Sequence, residues 1–86
     1  MHHRFSQHAL EEMAQRSINK DVVEAILSEP QQIVPERAGL VAYQSIVDFE
    51  DKGVFLVRVI INPMTDPEVV VTVYRTSKIN KYWRTP

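Results

Sequence analysis

The chain predicts an α+β fold, with two N-terminal helices packed on a three- to four-stranded antiparallel sheet and a short helical turn at the C-terminus. Three observations carry that expectation. Apolar residues recur at three- and four-residue spacing as far as Leu27, the period falls to two beyond Pro30, and the strand-like runs are joined by short, turn-forming connections.

Ser6 opens the first helix as its cap, with Glu11 and Glu12 in or near the first turns. Ala9, Leu10 and Met13 supply its apolar stripe, and the helix is expected over residues 7–16. Asn19 caps the second helix, Asp21 sits in its first turn, and Val22, Val23, Ile26 and Leu27 make the buried face. Pro30 stops it, because the residue before a proline is driven out of the helical region; its expected span is 20–28.

QQIVPE reads as a weak strand broken by Pro35, which suits a sheet edge, and Ala38-Gly39 marks a turn. LVAYQSIVDF gives a longer strand, and EDKG closes a hairpin with Gly53 free to take positive φ. VFLVRVII is the most apolar stretch and belongs at the centre of the sheet. NPMTDP connects it to EVVVTVYRT, a last strand rich in β-branched residues. In SKINKYW, Ser77 caps a helical turn that places Ile79 and Trp83 on one face as anchors, with Lys78, Lys81 and Tyr82 beside them.

Eighty-six residues, 44% apolar and 24% charged, describe one globular domain spanning the chain. The absence of cysteine excludes disulfides, thiolate metal sites and a cysteine nucleophile. No apolar run approaches the roughly 18 residues of a membrane span, and MHHRFSQH lacks the apolar segment of a signal peptide. A cytoplasmic protein without membrane association is expected. Net charge is only −1, yet all 11 acidic residues lie between Glu11 and Glu68, whereas the last twelve positions hold Arg75, Lys78, Lys81 and Arg84 and no acid. Beyond about 8 Å such charges are screened, so this cationic end attracts anions whatever the total.

No metal-ligand spacing is present. His2, His3 and His8 crowd the N-terminus, where His2 and His3 are expected to fray, and no carboxylate cluster completes a site. With Gly39 and Gly53 as the only glycines, phosphate-cradling loops are excluded, and no cofactor is expected. What remains suits phosphodiester cleavage without metal. That chemistry needs a base for the ribose 2′ proton, cations for the charge growing on phosphate, and an acid for the leaving oxygen.

His8 is the candidate base, Arg58 and Arg75 the phosphate holders, Lys78 and Lys81 the stabilisers of the transition state, and Tyr74 or Tyr82 the orienting or donating group. Arg16 and Ser77 complete the substrate-binding set. Structural alternatives stand beside these roles: His8 is an exposed or core-edge imidazole, Arg16 complements a helix C-terminus, Tyr74 is a half-buried ring with its hydroxyl at the rim, the lysines are solvated, and Trp83 packs. Arg58 is the sharpest signal, since it interrupts the face of Val54, Leu56 and Ile60, where a charge must be paired or open onto a cleft. The nuclease roles require these groups to share one hollow.

SQHALEEM, EPQQIVPE, YQS, LVRVIIN and the closing TVYRTSKINKYW together resemble the domain of unknown function 4258 family, from about Phe5 to Trp83. That family is similar to the RelE/ParE and BrnT-like toxins, small RelE-like α+β proteins with two N-terminal helices against an antiparallel sheet. The resemblance implies an endoribonuclease toxin of a toxin–antitoxin module, acting on RNA free or on the ribosome, with a small cognate antitoxin as partner. Its recurring positions fall on His8, Arg16, Tyr43, Arg58, Tyr74, Thr76, Ser77, Lys78, Lys81 and Tyr82. Many members carry an arginine just before the helix-one methionine; Glu12 stands there in this chain, and if that arginine binds phosphate in the relatives, Glu12 would instead repel the substrate or act as a base. The alternative is a non-catalytic module of the same fold that binds protein through the sheet, and an open sheet edge allows a homodimer.

Overall fold

Ser6 takes the capping role its position suggests: its hydroxyl accepts from Ala9 N at 3.0 Å, and α1 runs Gln7–Gln15. Asn19 Oδ1 accepts from Asp21 N, and α2 covers Lys20–Ser28, the expected span. Helices of nine residues do not hold in water by themselves, so burial of Ala9, Met13, Val23 and Ile26 against the sheet stabilises both. The computed structural model describes residues 3–85; His2 therefore lies outside the described residues.

The sheet departs from the expected three or four antiparallel strands. Among the described residues it has five, in the order β1-β5-β4-β3-β2, and it is mixed. β1 (Arg4–Phe5) pairs parallel with β5 (Val69–Thr76), whereas β2 (Gln32–Pro35), β3 (Val41–Asp48), β4 (Val54–Asn62) and β5 form antiparallel ladders. Two residues preceding a helix carry no alternation of their own, so β1 arises only from docking on β5: Arg4 N donates to Glu68 O and Ser6 N to Val70 O. His3, expected to fray, is tucked in beside it, its side chain 7% exposed.

β4 is central, as its composition demands, and β2 is an edge strand ending at Pro35. A bulge between β4 and β5 breaks the strict alternation of EVVVTVYRT. Ile60 pairs with Thr72 but Ile61 with Val70, leaving Val71 extra, so that Val70 and Val73 both join the helix-side core. Val71 and Tyr74 pack on the opposite face with Val34, Ala42 and Ile60.

The hairpin turn holds a 3₁₀ turn over Glu50–Lys52, and Gly53 takes φ 96°, a conformation open to glycine without strain. The C-terminal turn, α3, spans Ile79–Tyr82; Lys78 rather than Ser77 stands at its N-cap, with no side-chain bond. No helix among the described residues is long and apolar enough to cross a membrane.

Candidate functional site

The alternation of β4 sends Val57, Val59 and Ile61 into the helix-side core and Arg58 to the other face. There Arg58 is 2% exposed and three of its nitrogens are engaged. Nε donates to Gln44 Oε1 at 2.8 Å, Nη1 to the Tyr74 hydroxyl at 2.7 Å and Nη2 to Glu36 Oε2 at 2.5 Å. The Tyr82 ring lies over the guanidinium, 4.4 Å from its centroid. Burial acts to lower the Arg58 pKa, but the Glu36 and Tyr74 bonds outweigh it and hold the value above the ordinary one. The same burial pushes the Tyr74 hydroxyl up, against the pull of Arg58. Of the two outcomes open to a charge at this position, the structure has the paired one: Arg58 is an internal ion pair rather than a phosphate holder facing a cleft.

The cluster is closed by the C-terminal segment. Gln44, fully buried, donates to Gln32 Oε1 at 2.8 Å and to Tyr82 O at 3.2 Å. Gln32 in turn grips the Arg84 backbone from both sides, Nε2 donating to O at 2.6 Å and Oε1 accepting from N at 3.1 Å. Tyr74 and Tyr82 meet edge to face at 6.2 Å, and Lys81 Nζ sits 5.3 Å from the Tyr82 ring. Lys78 and Ser77 are exposed, and Lys78 N donates to Thr76 Oγ1.

The remaining predicted residues gather elsewhere, along the seam between α1 and the outer edge of β5. His8, 63% exposed, places Nε2 3.3 Å from Glu12 Oε1; Glu12 Oε2 accepts from Arg16 Nη1 at 3.2 Å. Glu12 Oε1 also accepts from Val73 N at 3.2 Å, filling a donor that the strand edge leaves unpaired. The helix runs along β5 in the same sense, since Ser6 bonds Val70 and Val71 while Glu12 bonds Val73. Arg16, the C-cap residue, follows at the end of α1.

Arg75 lies on the helix-side face, its guanidinium 4.8 Å from the Phe49 centroid and 4.9 Å from that of Phe55. Its Nη1 is buried with no hydrogen-bond partner, and no carboxylate pairs with it among the described residues.

The expected single hollow is therefore two sites on opposite sides of the sheet. His8 and Arg16 share the seam through Glu12; Arg75 is on the helix-side face against Phe49 and Phe55; Arg58, Tyr74 and Tyr82 share the far face; Ser77, Lys78 and Lys81 follow the end of β5. In the register of β4 and β5, Arg58 faces Tyr74 and Arg75 faces Val57, so the two arginines project oppositely by the period of the strand. Sequence reasoning missed Glu36, Gln44 and Gln32, whose signal is the register Gln32↔Gln44↔Arg58. It took Glu12 as a departure with repulsion or base chemistry in view, and overlooked its spacing of four from both His8 and Arg16. Among the described residues, no group of three or more histidine or acidic side chains is arranged to hold a metal.

Comparison with curated proteins and with solved structures gives no match. A family model does match, and it ends at Arg75, leaving SKINKYW outside the matched stretch. Over residues 5–75, the strands, both helices and the α1–β5 seam included, the chain belongs to the family described as Domain of unknown function (DUF4258).

Proposed function

We propose that the α1–β5 seam is the working site of a metal-independent, toxin-like endoribonuclease that uses a smaller set than the sequence suggested: the one hollow required of the full set is absent, so Arg58, Tyr74 and Tyr82 leave the proposed site and their cluster is structural support. The observation that carries this reading is the line His8–Glu12–Arg16 bonded through Glu12 to the edge of β5, the strand that also bears Arg75, a guanidinium held on two aromatic rings without a carboxylate among the described residues. An exposed imidazole beside a fixed carboxylate is a base with its orienting group. Glu12 at Nε2 favours the tautomer that leaves the Nδ1 lone pair free, and the carboxylate is neutralised by Arg16 and the Val73 N–H, so it does not repel phosphate as a bare glutamate would.

His8 Nδ1 takes the proton of a ribose 2′-hydroxyl, the 2′ oxygen attacks phosphorus, and the bond to the 5′ oxygen breaks. Water protonates the departing oxygen. Arg75 and Arg16 meet the charge that builds on the phosphoryl oxygens, and Lys78, just beyond the end of β5, adds to the local positive potential. The RelE/ParE and BrnT-like resemblance supports a toxin–antitoxin setting in the cytoplasm, with RNA as substrate and a small antitoxin as partner.

Expression of the chain alone in bacteria tests the reading, with growth and RNA integrity followed together. The wild type arrests growth and fragments RNA, whereas His8→Gln does neither while melting at the same temperature. Intact RNA with the purified wild-type chain overturns it. In that event the non-catalytic reading stands, favoured by the open outer edge of β2 with Ile33 55% exposed: a stable complex with an extended partner strand and no cleavage.

A further inference from the structure

β2 covers only half of its neighbour: it pairs with residues 41–44 of β3, which runs on to Asp48. At Ile46 a side chain stands in for the missing strand, Gln31 Oε1 accepting from Ile46 N at 2.9 Å. Phe49 N points the other way, to Gly53 O across the hairpin. Backbone groups alternate between the two edges of a strand, so Asp48 turns its N–H and C=O outward with Ile46, and no strand among the described residues lies opposite them.

Against this open end lies a cavity of about 260 Å³. Val22, Ala25, Ile26 and Glu29, spaced as one face of α2, form one wall, and Ser45 and Val47, two apart on the helix-side face of β3, form the other. The space falls below the roughly 300–1,000 Å³ of a small-molecule site, and its walls are chiefly apolar, so it suits one aliphatic side chain. No lysine or arginine lines it. Glu29 in the wall and Asp48 beside the open backbone are exposed and form no ion pair among the described residues.

We infer that the outer end of β3 and the α2 wall together bind an extended segment of a partner protein, with an aliphatic side chain in the cavity and lysine or arginine beside it. Ile46 O and the Asp48 backbone hold such a strand by hydrogen bonds. Its side chains alternate, so the neighbours of the residue in the cavity fall on the far face, where Asp48 lies, and Glu29 adds to the negative potential. A second copy fits worse, because it brings its own Glu29 and Asp48 to the same edge, like charge against like. The surface shares no residue with the α1–β5 seam or with β2, and its binding is independent of cleavage.

Titration of the isotope-labelled full chain by NMR with a capped threonine-lysine-leucine-lysine-threonine peptide tests the inference; in either strand direction one lysine meets Asp48. Saturable shifts are expected at the amides of residues 46–48 and 22–29. The peptide with glutamate in place of both lysines binds about fivefold or more weakly at low salt. Ala25→Leu fills the cavity from an exposed helical position at unchanged melting temperature and abolishes the shifts. Shifts that survive Ala25→Leu, equal binding of both peptides, or no saturable shift overturn the inference. Shifts of the same amides on raising the protein concentration alone assign the surface to a second copy and overturn it too.

Discussion

Two arginines on neighbouring strands show how environment divides one residue type into two roles. Arg58 is neutralised in place by Glu36, Gln44 and Tyr74, so its removal strands three polar partners. Arg58→Ala is expected to lose about 2–3 kcal/mol in urea unfolding, discounted from a fully buried pair because Glu36 remains partly solvated. Arg58→Lys does not restore it, since one ammonium cannot reach three partners held in a planar fork. For Arg75 the proposed nuclease predicts the opposite: Arg75→Ala is expected to lower cleavage by about 10²–10³-fold, the scale of losing one transition-state donor, with the change in melting temperature confined to its packing on Phe49 and Phe55.

The Tyr74 hydroxyl makes a prediction in pH. Its folded pKa lies above the ordinary value of about 10, chiefly through burial, so folding favours the protonated form. That stability is fully present below pH 10 and is lost as pH climbs through the higher folded value. Tyr74→Phe removes this alkaline loss, at a cost near neutral pH of about 1–2 kcal/mol for the bond to Arg58. Unfolding curves of both proteins between pH 8 and the alkaline limit check it.

At the scale of elements, α1 is joined to the sheet through polar as well as apolar contacts. Glu12 connects helix, imidazole, guanidinium and strand edge at once. Glu12→Ala is expected to destabilise by about 1–2 kcal/mol and also to lower activity, whereas Glu12→Gln keeps the acceptor for Val73 and recovers most of the stability but little of the activity. Measuring melting temperature beside RNA cleavage separates these effects.

Much of this level was legible from periodicity. The caps Ser6 and Asn19 and the stop at Pro30 put both helices within a residue of their observed ends. β1 was not legible, because two residues have no period and a parallel partner 65 positions away leaves no local mark. The bulge at Val71 was hidden too, since β-branched residues occupy both faces of EVVVTVY and disguise the slip.

Across the molecule, charge is arranged by position rather than by total. Arg16 at the end of α1, Arg75 on β5 and Lys78 and Lys81 after it are the cations that the proposed function sets against RNA. For single strands the logarithm of the binding constant falls by about 0.7 per phosphate neutralised for each tenfold rise in salt. Lys78→Ala with Lys81→Ala should therefore reduce that slope by about 1.4, with little change in melting temperature, because both side chains are exposed. An unchanged slope in fluorescence anisotropy removes the lysines from the interface.

By itself the amino-acid order determined the two helices, the three long strands, the edge character of QQIVPE and the presence of an anomalous charge at Arg58, because each is written in local spacing, capping or proline chemistry. Tertiary structure decided which face each strand residue takes against its neighbours, and hence that Arg58 is enclosed by Glu36 and Gln44 while Arg75 turns to the helix side and packs on Phe49 and Phe55. The physical reason is register: side chains reverse every residue along a strand, so the company a charge keeps depends on pairings and a bulge between segments far apart in the chain.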